Sequence, residues 1–282
     1  GHPRMSTVAT TRERRELTPT AGAEIRSSLA RRLAPLAILP ALGLVIWEAA
    51  VAVQQPAVWL LPAPHDIAGT LATEHDRLWF HAQATLQTAI IGLALAAVAG
   101  LALAAAISAS RVVERTVYPW IIASQTVPVL AVAPLLGIWV GYGAAQLLVV
   151  TIFCFFPIVV TGVDSLRAGR PELTAAARSL GAGPLEIWRR VTFPAALPAL
   201  FSGLRLAAVF AVTGAVVAEY VGADRGLGFL TEFATAQFET VLTFAAVVWL
   251  AVLGIVAFGL ISFIERLAMP WRHRSTRRRR AS

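Results

Sequence analysis

Six apolar stretches, each long enough to cross a bilayer, leave this chain few folds to choose from. They run at about 34–53, 84–109, 117–140, 145–163, 199–221 and 241–264. A helix of roughly 20 apolar residues spans a hydrocarbon core of about 30 Å. In lipid every backbone N–H and C=O must be paired within the protein, so spanning segments are helices or strands of a closed barrel. Barrel strands alternate apolar and polar residues over about ten positions; these runs are longer and do not alternate. The expected fold class is an all-α integral membrane protein with six transmembrane helices. Composition agrees, with 57% hydrophobic and only 14% charged residues. The first run exceeds the roughly 7–15 apolar residues of a signal-peptide core, so an uncleaved anchor is expected. Abundant Ala and Gly allow close helix approach, and no inverted repeat of the kind common in secondary transporters is visible. The single cysteine, Cys154, sits in an apolar run and has no partner within the chain for a disulfide.

Charge sets the expected orientation. All 24 basic residues are arginine, and none is lysine. Cytoplasmic connections carry an excess of basic residues. Counted over alternate connections, 21 arginines lie on the side holding both termini and two, Arg77 and Arg225, on the other. The N and C termini are therefore expected in the cytoplasm, with segments 54–83 and 222–240 outside. The expected organisation is a basic cytoplasmic segment at 1–33, a membrane domain at 34–270 with a cytoplasmic loop at 164–198, and a basic tail at 271–282. Such a tail is better explained by topology and acidic lipid than by nucleic acid. A Walker A loop needs its Lys to reach the β- and γ-phosphates. This sequence offers none, so any P-loop ATP chemistry must come from another polypeptide.

The loop at 170–198 reads RPELTAAARSLGAGPLEIWRRVTFPAALP. Pro171 suits a first helical position, and Glu172 favours the positive end of the helix dipole. Leu173, Ala176, Ala177 and Leu180 recur at helical spacing, and Gly181 fits a left-handed stop. Pro184 opens a second short helix carrying Leu185, Trp188 and Val191, and Pro194 and Pro198 are expected to end the island. Trp188 suits docking in a partner's groove or anchoring at the lipid interface. Arg178, Arg189 and Arg190 suit either charge pairing around such a contact or enforcement of topology.

This loop resembles the cytoplasmic "EAA" loop of binding-protein-dependent ABC importer permeases. That pattern is Glu-Ala-Ala, three residues, Gly, nine residues, an aliphatic, one residue, Leu, Pro. Ala176, Ala177, Gly181, Val191 and Pro194 match it, while Ala175 stands where the family has Glu and Phe193 where it has Leu. The stretches LPAPHDI, SQTVPVLAVAPLLGIWVGYG, FFPIVVTGVDSLR and VVAEYVGADRGLGFL extend the likeness over about 34–270. They are similar to the nitrate/sulfonate/taurine-type branch, and nearest to permeases for thiamine-precursor pyrimidines or riboflavin. The resemblance implies a type I ABC importer permease fold in the plasma membrane of a bacterium. It implies a second copy of the permease, a cytoplasmic ATPase dimer that holds ATP and Mg, and an external substrate-binding protein. No cofactor is expected in this chain, and no catalytic or metal-binding residue. The residues implied in coupling to the ATPase are Glu172, Ala175, Ala176, Ala177, Gly181, Pro184, Leu185, Trp188, Arg189, Arg190 and Pro194.

Charges inside apolar segments are costly and point to function. Glu48, Arg205 and Glu219 are the candidates here. Glu219 and Tyr220 fall at the outer end of the fifth span, at the mouth of a path or at the interface. Arg205 is expected to snorkel to the cytoplasm. Gln125, Pro128 and Pro134 interrupt the third span, and prolines there free backbone carbonyls and kink the helix, which suits a path-lining segment. An ion-coupled secondary transporter is the alternative; it calls for ionisable residues at mid-membrane, whereas these lie toward span ends.

Overall fold

The computed structural model describes residues 38–168 and 171–270. The basic segments expected at 1–33 and 271–282, and Arg170, lie outside the described residues. The chain divides into two compact units, Gly1–Gln55 and Pro56–Ser282. The described part of the first is one apolar helix, α1 (Ile38–Gln54).

The second unit is helical throughout, with no strand among the described residues. Its helices are α2 (Pro64–Thr73), α3 (His75–Ala109), α4 (Arg111–Ser124), α5 (Val129–Val140), α6 (Tyr142–Arg167), α7 (Pro171–Ser179), α8 (Pro184–Ile187), α9 (Phe193–Glu219), α10 (Leu227–Ala236) and α11 (Thr240–Ala268). Four helical stretches among the described residues are long and apolar enough to cross a membrane: α3, α6, the continuous run Pro184–Glu219, and α11. A fifth arises if α4 and α5 form one broken span, bent by 99°.

Several boundaries differ from the sequence expectation. Helix α3 begins at His75, so the expected outer loop at 54–83 is largely helical. The polar stretch 222–240 contains α10, whose Leu227, Leu230 and Ala234 are fully buried. The third span is two helices at an angle rather than one kinked helix. Pro128 causes the break: it disfavours helical backbone in the residue before it and is itself extended, at ψ 113°.

The core is the contact of α3, α6 and α9, built on small residues. Ala89 and Ala96 meet Val150, Cys154 and Ile158, and these meet Ala207, Ala211 and Ala215. Between apolar helices in lipid, attraction comes from packing rather than from expulsion of water, and small side chains permit close approach. A Cβ on Gly203 would overlap the Thr161 hydroxyl. Cys154 is part of this seam, its Sγ lying 3.3 Å from the Ala207 carbonyl oxygen.

Two charged contacts tie the bundle. Arg167 pairs with Glu114, joining the end of α6 to α4, and also donates to the Ile107 carbonyl near the end of α3 at 3.4 Å. Arg205 pairs with Glu265 of α11 at 2.9 Å and lies over the Phe258 ring. The sequence reading that Arg205 reaches for the cytoplasm did not include this pairing with Glu265. Both groups are largely withdrawn from water, with side-chain exposures of 27% and 9%. Removing one partner of a fully buried pair costs about 3–5 kcal/mol. With Arg205 partly exposed, Glu265→Leu is expected to cost about 2–3 kcal/mol, seen as a lower Tm of the detergent-solubilised protein, and Arg205→Leu in the same chain should recover part of it.

Candidate functional site

The loop between α6 and α9 forms a compact corner. Helix α7 carries Glu172 in its first turn and Arg178 in its last, each matched to the helix dipole. Its end is a Schellman motif: the Gly181 N–H donates to the Arg178 carbonyl at 3.0 Å and the Ala182 N–H to the Ala177 carbonyl at 3.0 Å. Gly181 has φ +84°, a left-handed conformation that glycine adopts without steric cost.

After this turn Gly183 caps α8 in an extended conformation, with Pro184 at the first helical position. The second helix of the loop is not a separate short element, and Pro194 and Pro198 do not end it. Residues Trp188–Thr192 form a π-turn, with the Phe193 N–H donating to the Trp188 carbonyl. A proline inside an α-helix removes one N–H and its ring clashes with the carbonyl four residues back. Widening to a five-residue hydrogen bond just before Pro194 relieves this crowding. Helix formation then continues from Pro184 to Glu219, 36 residues and about 54 Å.

Of the apolar residues singled out, Leu180 and Leu185 are 87% and 70% exposed, whereas their neighbour Ile187, which the sequence reading did not single out, is buried. Trp188 is 39% exposed and packs against the Phe193 ring at 5.2 Å. Ala175 and Ala176 are exposed; Ala177, like Val191, is partly buried and both line a corner cavity of about 340 Å³. Arg190 pairs with Glu186 at 3.1 Å within its own helix. The corner thus leaves Leu173, Leu180, Leu185 and Trp188 exposed, with Arg189 and Arg190 beside Leu185 and Arg190 beside Leu180.

At the far end of α9 lies a buried polar cluster. Here the N-terminus of α10 is capped by three side chains from other helices. The Gly226 N–H donates to His81 Nδ1 at 3.1 Å, Leu227 N–H to Thr85 Oγ1 at 2.8 Å, and Gly228 N–H to Glu219 Oε2 at 2.6 Å. The first N–H groups of any helix have no intrahelical partner, and a carboxylate there is favoured by the dipole. His81 accepts at Nδ1, which leaves the ring proton on Nε2. Gly228 admits this approach, because a Cβ there would come 2.9 Å from the Val216 Cα. Tyr220 joins the cluster through Thr231 Oγ1, 3.2 Å from its hydroxyl.

Glu219, expected at the mouth of a path or reaching water, is 2% exposed. Its neighbours His81 and Thr85 lie at positions where the sequence shows no motif, 138 and 134 residues earlier in the chain. Gln125 and Pro128 are exposed at the α4–α5 break, and Gln125 shares a cavity of about 440 Å³ with Ser124, Thr151 and Phe155. Pro134 lies inside α5. The five residues expected along the path thus divide between this break, α5 and the α10 cluster.

The match to known proteins covers both ends of α9. Residues 92–269 match the family model described as binding-protein-dependent transport system inner membrane component. The chain belongs to this family. It is 38% identical to the formylaminopyrimidine transport permease protein ThiX of Halalkalibacterium halodurans, over 81% of this chain and 92% of the relative. It is 37% identical to the riboflavin transport system permease protein RibX of Chloroflexus aurantiacus, over 82% and 91%. The taurine transport system permease protein TauC of Escherichia coli is 29% identical, over 81% and 86%. The solved MetNI methionine ABC transporter superposes with a TM-score of 0.60 at 21% identity, covering 68% of this chain and 97% of that one. The fold is that of a type I ABC importer permease. The relatives are transport permeases rather than enzymes, and they do not favour ion-coupled secondary transport.

Glu219→Leu removes one acceptor from the α10 N-terminus, whereas Glu219→Gln keeps a carbonyl oxygen there. Orphaning a buried N–H costs about 1–3 kcal/mol. Hydrogen exchange at 226–231 is expected to speed up about tenfold or more in Glu219→Leu and less in Glu219→Gln, with α6 unchanged in both.

Proposed function

We propose that this chain is the membrane-spanning subunit of an ATP-driven importer, working as a homodimer with a cytoplasmic ATPase pair and an external substrate-binding protein. The supporting observation is the exposed apolar corner at Leu173, Leu180, Leu185 and Trp188, whose second helix leads without interruption from Pro184 into α9 in the centre of the bundle. A bare apolar surface edged by charge suits a protein groove. On this proposal Glu172, Ala175, Ala176, Ala177, Gly181, Pro184, Leu185, Trp188, Arg189, Arg190 and Pro194 make up the docking corner. ATP and Mg are held by the ATPase.

The proposed topology has six spans, counting α1 and the bent α4–α5 pair, with the corner and both termini in the cytoplasm of a bacterium. It is supported by the arginine bias of 21 to two. Closure of the ATPase pair on ATP moves the corner, and α9 carries that motion to the α10 cluster. The binding protein and the ATPase favour different states of the permease, and this difference supplies the coupling. The relatives named for a formylaminopyrimidine and for riboflavin are more similar to this chain than the one named for taurine. A small heterocyclic solute is therefore proposed ahead of a sulfonate.

The test is Leu185→Asp with Trp188→Asp. Losing an aromatic interface anchor costs about 2 kcal/mol or more, roughly thirtyfold in affinity. The ATPase subunits should no longer co-purify, and ATP-driven uptake should stop while the permease still inserts. Normal co-purification with undiminished uptake would refute the docking role.

A further inference from the structure

A second polar feature lies beside the α10 cluster, at the opposite end of the continuous run Pro184–Glu219 from the docking corner. It is a cavity of about 480 Å³ between α3, the start of α6 and the loop that follows α9. Pockets that hold small ligands run from about 300 to 1,000 Å³. Its walls carry Gln87, Thr88, Tyr142, Gln146, Asp224 and Arg225. By contrast, the groove between α9 and α11 is walled by aliphatic side chains such as Val212, Val216, Val247 and Leu250.

Three properties define what would fit. The first is an aromatic wall fixed in place. The Tyr142 ring sits against Gly137 of α5 and Gly222 of the loop, where an added Cβ would come within 2.7 Å and 2.6 Å of ring carbons. Both glycines therefore admit the Cδ1–Cε1 side of the ring, while Tyr142 remains 51% exposed. The second is a pair of carboxamides on neighbouring helices, Gln87 on α3 and Gln146 on α6. Neither donates to or accepts from any described residue, so each offers the cavity one acceptor and two donors. The third is charge: Asp224 and Arg225 are adjacent and opposite in sign, so the lining is neutral overall.

The loop wall is also held in position. Gly226, next to Arg225, donates to His81, and Leu227 to Thr85, three residues before Thr88 on α3. The cluster that caps α10 thus fixes the loop against α3, the helix that carries Gln87.

From this geometry, and resting on the importer function proposed above, we infer that the cavity is a solute-holding site of the permease itself, for a neutral planar heterocycle that stacks on Tyr142 and hydrogen-bonds along its edge to Gln87 and Gln146. A flat ring face suits stacking on an aromatic side chain. Amide and ring-nitrogen edges suit carboxamides, which pair with them in two directions, as Asn and Gln do with adenine. A small anion has no ring to stack, and here Asp224 opposes the attraction of Arg225.

The single cysteine makes the test direct, because Cys154 is fully buried. Gln146→Cys is placed in the full transporter, with ATPase and binding protein, in proteoliposomes and labelled with a water-soluble maleimide. Formylaminopyrimidine and riboflavin are the ring probes; taurine and nitrate are the ringless ones. At least one ring probe should slow labelling about fivefold at about four times its dissociation constant, following the free fraction 1/(1 + [L]/Kd). The ringless probes should leave the rate unchanged. Adding Tyr142→Ala should abolish the protection, and Tyr142→Phe should retain it. If Gln146→Cys does not assemble, Gln87→Cys is read in the same way. Equal protection by taurine, no protection by either ring probe, or protection that survives Tyr142→Ala overturns the inference. Uptake by the unsubstituted complex is measured in parallel. Absence of ATP-driven uptake of all four solutes there tells against the importer function, whereas uptake without protection tells against this cavity alone.

Discussion

A single widened hydrogen bond, from the Phe193 N–H to the Trp188 carbonyl, lets a helix run past Pro194 when local rules would stop it. Much of the molecule follows from that continuity. Backbone groups in lipid must be satisfied by the protein, and a helix broken at Pro194 would leave carbonyls unpaired near the cytoplasmic boundary proposed here. Instead the run from Pro184 to Glu219 is unbroken. Its first turns carry the exposed apolar corner, its middle packs Ala207, Ala211 and Ala215 into the core, and its last residue caps α10. A displacement at one end of such a rod has no loop in which to dissipate.

The two ends are built in opposite ways. The corner is stopped by Gly181 and leaves Leu180, Leu185 and Trp188 exposed, the surface proposed here to dock the ATPase. The far end is closed on itself: His81, Thr85 and Glu219 together satisfy three consecutive amides. Burying a carboxylate is costly unless donors and a favourable dipole meet it. The N-terminus of α10 supplies both. The same contacts hold the loop bearing Asp224 and Arg225 against α3, which carries Gln87, linking the position of α9 to the shape of the polar cavity.

Much of this was legible in the sequence, and the remainder was hidden for physical reasons. Apolar run length located α3, α6, α9 and α11, because span length is set by bilayer thickness. Gly181 was readable as a helix stop because the left-handed turn has a strong residue preference. Pro194 misled, since a π-turn leaves no signature in sequence and a proline normally reads as an ending. Helix α10 was missed because Gly222, Asp224 and Arg225 before it look like an ordinary outer loop, while the partners that cap it lie on α3. Arg205 and Glu265 are 60 residues apart, so their pairing depends on α9 and α11 lying side by side. The motif spacing singled out the corner proposed to dock the ATPase, but which of its side chains are exposed depended on where the helices turn.

The central claim is that α9 couples its two ends, and hydrogen exchange on the assembled transporter with and without trapped ATP tests it most directly. Amides at 171–192, where the ATPase is proposed to dock, should change their exchange on ATP binding. Amides at 222–231, at the other end of α9, should change with the same dependence on ATP concentration. Protection changes confined to 171–192, with 222–231 unaltered, would contradict the account.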